Sequence, residues 1–291
     1  MDMEEYRDLD LTIEVFTALL SEPEFTDLEA GIVLQAYLPD SARGMEQLVE
    51  FAQQRVADGG APVKIRLVKG ANLSMEKVEA ELHAWEQAPY TTKAEVDANY
   101  IRLVERALRP ELAGVVRLGV ASHNLYDVAL AHLLAERRGV GESLDVEMLQ
   151  GMAPSQARAV RDTVGTVILY TPVVAPEDFD VAVSYLIRRL EENAQSQNFL
   201  HGLFAGGADA MRDQESRFRA SVADIPQTPT APRRSAERQP AGETFTNAVD
   251  SDPALPQVRD WSGCSTTPPG SPRSRSRGRA QPPTRAELTA G

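Results

Sequence analysis

Cysteine, histidine and long apolar runs are all scarce in this sequence of 291 residues. The single cysteine, Cys264, excludes an intrachain disulfide, which favours a reducing, cytoplasmic location. The histidines and the cysteine show no zinc-type spacing, so no metal site is predicted. No apolar run reaches about eighteen residues, which argues against a transmembrane helix. The acidic N-terminus also lacks the apolar core of a signal peptide.

Basic charge is in deficit as well, because 43 acidic residues outnumber 30 basic ones and the net charge is −13. Binding to a phosphate backbone needs a basic surface, so nucleic acid is not expected as a partner. A basic run does occur at residues 273–279, but a solvated tail explains it better than a nucleic-acid arm. Neither a Walker loop nor Gly-x-Gly-x-x-Gly is present, so a nucleotide cofactor would not bind through a Rossmann turn.

Apolar runs alternate with helix-period segments up to about residue 200. This alternation predicts an α/β fold with a parallel sheet and right-handed crossovers. A strand end is predicted at residues 1–3, and full strands at 31–37, 63–69, 115–122, 144–149 and 167–171. Helices are predicted over about 5–20, 41–59, 74–86, 93–108, 124–137, 154–162 and 176–195.

Polar residues follow the predicted strands, as at Lys69, His123 and Gln150. Parallel α/β sheets place their chemistry at these carboxyl ends, both in open sheets and in closed (β/α)8 barrels. Because every strand contributes to one rim, the pattern favours a barrel, although a closed barrel needs more strands than the sequence shows. After about residue 212 the chain becomes rich in Pro, Ser, Arg, Thr and Gly, so residues 213–291 are predicted to be a disordered tail.

The strand within residues 64–71 carries two cations. Side chains alternate along a strand, so Arg66 and Gly70 share one face while Leu67 and Lys69 share the other. A buried arginine is costly unless it is paired. The sequence therefore predicts an anionic or electron-rich partner for Arg66, which is either a structural carboxylate or a ligand.

The helix after Pro176 is the second informative stretch. Tyr185, Arg188, Arg189 and Glu192 are spaced to share one face of it. Such a face is often simply solvated. It also suits a small carboxylate ligand, because guanidinium groups bind carboxylates through paired hydrogen bonds beside an aromatic wall.

Seven stretches resemble, in the same order, motifs of the proline dehydrogenase family, whose domain occurs alone or at the N-terminal end of bifunctional proline-utilisation flavoenzymes. The resemblance covers about residues 1–205. The stretches are Asp2-Met3-Glu4, Gly31-Ile32-Val33-Leu34-Gln35-Ala36-Tyr37, Ile65-Arg66-Leu67-Val68-Lys69-Gly70-Ala71, Ala121-Ser122-His123-Asn124, Glu147-Met148-Leu149-Gln150-Gly151-Met152, Tyr170-Thr171-Pro172-Val173, and Tyr185-Leu186-Ile187-Arg188-Arg189-Leu190-Glu191-Glu192-Asn193.

The resemblance implies a distorted (β/α)8 barrel that holds FAD at the strand ends. It implies oxidation of L-proline to 1-pyrroline-5-carboxylate by hydride transfer to the flavin, which then reduces a quinone. Contact with a membrane surface follows only from the use of quinone. The chain would then act in the cytoplasm or at the inner face of the membrane.

The resemblance also implies a role for each matching residue. Arg188 and Arg189 would bind the proline carboxylate, while Tyr170, Tyr185 and Leu149 would wall its ring. Asp2 would hold the arginines and tyrosine in place, and Arg66 would face the reactive nitrogen of the flavin. The remaining FAD contacts would be Gln35, Val68, Lys69, Gly70, Ala71, His123, Asn124 and Glu192, with Thr91, Thr92 and Lys93 nearer the adenosine.

Three departures from the family pattern bear on function. Asn72 stands where many members have tyrosine, which affects the preference for proline over hydroxyproline. The first two barrel strands of the family, with a substrate-site lysine, have no counterpart, so an N-terminally truncated barrel is expected. Residues 243–256 resemble the beginning of the aldehyde dehydrogenase domain of the bifunctional enzymes, which does not follow. The alternatives are an inactive fragment of that enzyme, serving at most as a folding or interaction remnant, and another carboxylate-binding barrel enzyme such as an aldolase.

Overall fold

Five parallel strands form the centre of the fold. The computed structural model describes residues 1–194, 198–205, 208–236 and 249–262. The strands are β1 (Ala30–Gln35), β2 (Val63–Val68), β3 (Val116–Ala121), β4 (Leu144–Leu149) and β5 (Val167–Tyr170). The helices are α1 (Leu9–Leu20), α2 (Ser41–Ala57), α3 (Leu73–His83), α4 (Lys93–Ala107), α5 (Leu125–Arg138), α6 (Pro154–Val164), α7 (Phe179–Ala194), α8 (Phe199–Ala205), α9 (Ala208–Asp224) and α10 (Pro256–Ser262).

The strand order in the sheet follows the order of the strands in the chain. Each strand pairs in parallel with the next, from β1 through to β5. An open doubly wound sheet reverses its order at a switch point, whereas a (β/α) barrel keeps adding strands on the same side. The predicted α/β class is therefore confirmed, and the five strands are wound as in a barrel.

The N-terminal residues pair with β1 in the same parallel sense. The ammonium group of Met1 donates to the carbonyl of Gly31, and the carbonyl of Met1 accepts from the Val33 N–H at 3.0 Å. This agrees with the predicted strand end at residues 1–3. It also brings Asp2 and Glu4 to the carboxyl edge of the sheet.

The two faces of the sheet have different chemistry. Ile65 and Leu67 in β2 are fully buried under the helices, together with Leu34 and Leu118. Lys64, Arg66 and Val68 alternate with them and are only half buried. The alternation predicted for β2 is confirmed, and it directs the polar side chains away from the helix layer.

The chain beyond residue 212 corrects one prediction. Residues 213–224 continue α9, so the predicted domain boundary at 212 falls inside a helix. Arg102 donates to the carbonyls of Ile225 and Thr228, and Arg234 is buried in a 3.0 Å ion pair with Asp252. The prediction of disorder is therefore wrong for residues 213–236 and 249–262. Side-chain contacts order these residues although their composition is typical of a disordered segment.

The remaining tail predictions lie outside the described residues. These concern residues 237–248 and 263–291, and the first range includes residues 243–248 of the stretch that resembles an aldehyde dehydrogenase domain. Within the described ranges, no helix has the length and apolarity needed to cross a membrane.

Candidate functional site

A cavity of about 200 Å³ lies at the carboxyl edge of the sheet. Strand ends, the N-terminal residues, α7 and α8 contribute to its walls. Among the predicted site residues, Tyr170, Arg188, Thr91 and Thr92 do not line this cavity, and the side chain of Glu192 lies outside what the structure describes. The predicted residues that line it are Asp2, Gln35, Arg66, Val68, Lys69, Gly70, Ala71, Lys93, His123, Asn124, Leu149, Tyr185 and Arg189.

The turn after β2 depends on Gly70. Its φ of +109° is a conformation that L side chains rarely adopt. A Cβ at this position would lie 2.5 Å from the ring of Tyr37, so the backbone approaches the ring as closely as a glycine permits. This turn sends the chain past the cavity between Lys69 and Ala71.

Arg66 is held on two sides. Its Nε donates to Oε2 of Glu147 at 2.6 Å, and its guanidinium carbon lies 4.1 Å from the centroid of the Tyr170 ring. The hydroxyl of Tyr170 donates to Oδ2 of Asp2 at 3.3 Å. Burial and the Asp2 carboxylate raise the pKa of Tyr170, which keeps this hydroxyl protonated.

Glu147 is a residue to which sequence reasoning gave no role. It supplies the structural carboxylate that was one of the partners considered for Arg66. The sequence does contain a feature that could have identified Glu147. It is a carboxylate inside the apolar run of β4, and a carboxylate buried in a sheet needs a cation as its partner.

Lys69 is enclosed by carboxylates. Its Nζ lies 2.6 Å from Asp97 and 2.8 Å from Asp127, and Lys93 binds the second oxygen of Asp97 at 2.5 Å. Burial lowers the pKa of Lys69, but Asp127 and Asp97 outweigh it and the net shift is upward. Lys69 is therefore a fixed cation at neutral pH.

The two aspartates were also missed from the sequence. Asp97 lies four residues after Lys93, a spacing typical of a helical ion pair, and Asp127 lies in the first turn of α5. Ser122 donates to Asp127 at 2.9 Å and so fixes the carboxylate that holds Lys69. Local spacing could have found Asp97, but nothing in the sequence joins Asp127 to β2.

The predicted adenosine-end residues form the start of α4. Oγ1 of Thr92 accepts from the Glu95 N–H at 3.2 Å, and the Glu95 carboxylate accepts from the Thr92 N–H at 3.0 Å. Thr91 donates to the same carboxylate at 3.3 Å. This capping box orients the first turn of α4, from which Lys93 reaches the cavity.

His123 is fixed in one neutral tautomer. Its Nε2 accepts from the Leu149 N–H at 3.0 Å, so Nδ1 carries the proton and faces Oε1 of Gln156 at 3.3 Å. Burial lowers the pKa of His123, and the hydrogen bond to Gln156 offsets this only in part. Asn124 caps α5 by accepting from the Tyr126 N–H at 3.0 Å.

The two arginines of α7 differ in their partners. Arg188 makes a 2.9 Å ion pair with Glu4, a residue without a predicted role, while the hydrogen bond of Asp2 is to Tyr170. The guanidinium of Arg189 lies 4.4 Å from the centroid of the Tyr185 ring. Its Nη1 is buried and has no hydrogen-bond partner among the described residues. Arg189 thus brings an unused donor to the cavity wall.

Gln35 is the matching case for an acceptor. Its Nε2 donates to the carbonyl of Met3 at 2.5 Å, whereas its buried Oε1 has no hydrogen-bond partner in the described part of the chain. No cluster of three or more histidine, cysteine or acidic side chains in the described ranges has a geometry suited to a metal ion.

Comparison with known sequences gives a family for this arrangement. The profile of the family described as proline dehydrogenase matches residues 1–202. The bifunctional protein PutA of Rhizobium meliloti is 27% identical over 207 residues, which are 69% of this chain and 16% of that protein. A proline dehydrogenase of Deinococcus radiodurans is 29% identical over 210 residues, which are 71% of this chain and 57% of that protein.

Solved structures agree with the sequence comparison. Proline utilization A from Corynebacterium freiburgense is 57% identical, with a TM-score of 0.78 over 94% of this chain. Proline utilization A from Bdellovibrio bacteriovorus, in a form inactivated by N-propargylglycine, is 35% identical, with a TM-score of 0.72 over 89% of this chain. The match spans 26% and 25% of those two proteins. The chain belongs to the proline dehydrogenase family.

Proposed function

We propose that this chain binds FAD and oxidises L-proline to 1-pyrroline-5-carboxylate. The observation that carries the proposal is the buried Nη1 of Arg189, a cationic donor without a hydrogen-bond partner at the wall of the cavity. Leaving a buried donor unpaired is costly, and a carboxylate supplies the acceptor that satisfies it. An amino acid of this family's substrate class brings such a carboxylate.

The surroundings of Arg189 suit a small ring. Tyr185 packs against the guanidinium, and Leu149 adds an apolar side chain to the same cavity. Arg188 lies one residue away, half buried, and its charge is shared with Glu4. We assign Arg189 the main contact with the substrate carboxylate and Arg188 a supporting one. Tyr170 lies outside the cavity lining, so its proposed contribution runs through Asp2 and Arg66.

The residues along the strand ends fit an FAD. Gly70 carries the backbone along the cavity wall, and the Gln35 Oε1, which has no hydrogen-bond partner among the described residues, suits a ring N–H of the isoalloxazine. Lys69 and Lys93 line the cavity as members of the ion-paired group with Asp97 and Asp127, and Arg66 adds a cation to the same lining. FAD held by these residues would supply the acceptor for the hydride of proline C5, and the proton on the proline nitrogen would pass to solvent water as the carbon–nitrogen double bond forms.

The residues of the chain contribute binding and electrostatics. Arg66 is a fixed cation, and a cation near the flavin stabilises the negative charge that develops there. His123 remains neutral and keeps the backbone around Leu149 in place. We further propose that a quinone takes up the electrons and that the chain works in the cytoplasm or at the inner membrane surface, as the family resemblance implies.

The test uses the purified full chain loaded with FAD. Its visible spectrum is recorded without oxygen before and after addition of L-proline, and bleaching of the flavin bands is the expected result. Prior treatment with N-propargylglycine, which inactivated the Bdellovibrio relative, should prevent that bleaching. A chain that takes up no FAD, or whose flavin is unchanged by proline, contradicts the proposal and favours the inactive remnant.

A further inference from the structure

The carboxylate of Glu147 lies between two cations on the face of the sheet that points away from the helix layer. Its side chain is only 3% exposed. Oε2 contacts Nε of Arg66 at 2.6 Å, and Oε1 contacts Nζ of Lys64 at 2.6 Å. Each oxygen therefore serves one cation, and both cations come from β2 while the carboxylate comes from β4.

A glycine in the intervening strand makes this pairing possible. Gly119 in β3 is in register with Arg66 on one side and with Asp145 on the other. A Cβ on Gly119 would lie 2.4 Å from Oε1 of Glu147 and 3.0 Å from the Lys64 side chain. The ion pairs thus occupy the space that a side chain on β3 would otherwise fill.

Stability alone is a weak reason for such a group. Burying a carboxylate and its cations costs desolvation energy that the ion pairs repay only in part, and apolar residues often replace them without loss. Arg66 and Glu147 both line the cavity, and Arg66 is clamped against Tyr170 on its other side. The location of the ion pair at the proposed cofactor site points to a functional reason.

We propose that Glu147 is a positioning residue that fixes Arg66 and offsets part of its charge, and that it thereby lowers the reduction potential of bound FAD. A positive charge near the flavin favours the reduced, anionic form, and a carboxylate beside that charge reduces the effect. This inference rests on the FAD binding proposed above. It concerns the potential of the flavin and does not depend on which substrate reduces it.

The experiment compares midpoint potentials of the FAD-loaded full chain and its variants by reductive titration with a redox dye, without proline. Glu147→Gln keeps an acceptor for Arg66 but removes the negative charge, so the potential should rise. The expected change is about tenfold in the ratio of reduced to oxidised flavin, which is about 30 mV for a two-electron couple. Lys64→Gln removes a positive charge from the same carboxylate, so the potential should fall.

Asp145→Asn is the matched control. Asp145 lies on the same face of β4 and pairs with Lys64 at 3.0 Å and Arg117 at 2.6 Å, but it is two residues further from the carboxyl edge. Its substitution should raise the potential less than Glu147→Gln does. Thermal unfolding of each variant accompanies the titrations, because a purely structural role would change stability without opposite shifts in potential.

Several results would overturn the inference. One is a potential in Glu147→Gln that equals the unmodified value or that of the Asp145→Asn control. Another is a shift of the same sign in Glu147→Gln and Lys64→Gln. If Glu147→Gln does not fold, Lys64→Gln decides alone. An unchanged or raised potential in that variant overturns the inference, and a lowered potential supports it. Failure of the unmodified chain to bind FAD overturns both proposals, whereas FAD that titrates normally but ignores proline removes only the proposed reaction.

Discussion

Two cationic regions border the same cavity, and they differ in how their charges are satisfied. Just after the carboxyl end of β2, Lys69 has two aspartates within 2.8 Å, and one of them, Asp127, accepts a hydrogen bond from Ser122. On α7, Arg188 has Glu4, but Arg189 keeps a buried donor without a hydrogen-bond partner among the described residues. The first region is complete without a ligand and serves as a scaffold. In the second region, the buried donor of Arg189 gains a partner only when a ligand brings a hydrogen-bond acceptor.

The largest effect should come from removing the unpaired donor. Arg189→Met should lower kcat/KM for proline by about 100-fold, because a charge-assisted hydrogen bond to the substrate carboxylate is lost. Arg188→Met should cost less, about tenfold, since Glu4 already shares that charge. Steady-state assays with a dye acceptor measure both, and FAD content measured by absorbance should stay unchanged. Equal losses in the two variants would contradict the distinction.

The next variant changes the backbone beside Lys69 without changing any charge, so its effect reports on the geometry of the turn alone. Gly70→Ala places a Cβ against the Tyr37 ring at a backbone conformation of φ +109°, so the free energy of unfolding should fall by about 2–3 kcal/mol. Gly139→Ala is the control, because its φ is +68° but no atom lies within 4 Å of the added Cβ, and it should cost about 1 kcal/mol. Denaturant titration compares the two. Equal costs would mean that Tyr37 gives way.

Breaking the scaffold's charge pairing should cost stability first. Asp127→Asn removes one of the two carboxylates at Lys69, and the free energy of unfolding should fall by about 2 kcal/mol. Asp162→Asn on the exposed face of α6 is the matched control and should change stability by no more than about 0.5 kcal/mol. The same urea series gives both values. A loss of activity at unchanged stability in Asp127→Asn would instead assign this region a direct role in binding.

The smallest effect concerns pH. His123 has a lowered pKa in the folded chain, so the unfolded chain binds a proton more readily. Its contribution to stability is full above the ordinary histidine pKa of about 6.5 and is lost as pH falls toward the lower folded pKa. Stability between pH 7 and pH 5 should therefore fall less steeply in His123→Gln than in the unmodified chain. Parallel slopes in thermal unfolding would show that His123 is not the group responsible.

The same contrast explains how much the sequence could predict. The alternation of Arg66 with Leu67 depends on near neighbours, and it was predicted. Lys93 and Asp97 are four residues apart on one helix, so their pairing has a local signal as well. For contacts between distant segments, no spacing in the sequence identifies the two partners. Glu147 reaches Arg66 across 81 residues and depends on the absence of a side chain at Gly119.

The segment after α9 shows the same limit. Its composition indicated disorder because few of its residues are apolar. It is nevertheless held by Arg102, whose guanidinium donates to carbonyls of the segment, and by the ion pair between Arg234 and Asp252. Polar contacts of this kind depend on where two backbones meet, and a composition argument contains no information about that meeting point.

The measurement that tests the central claim most directly is an anaerobic titration of flavin absorbance with L-proline, performed in parallel on the unmodified chain and on Arg189→Met. If the unpaired donor on α7 receives the substrate carboxylate, proline should bleach the flavin of the unmodified chain. The variant, carrying the same amount of FAD, should need a far higher concentration of proline. Identical titrations, or no bleaching in either protein, would contradict the account.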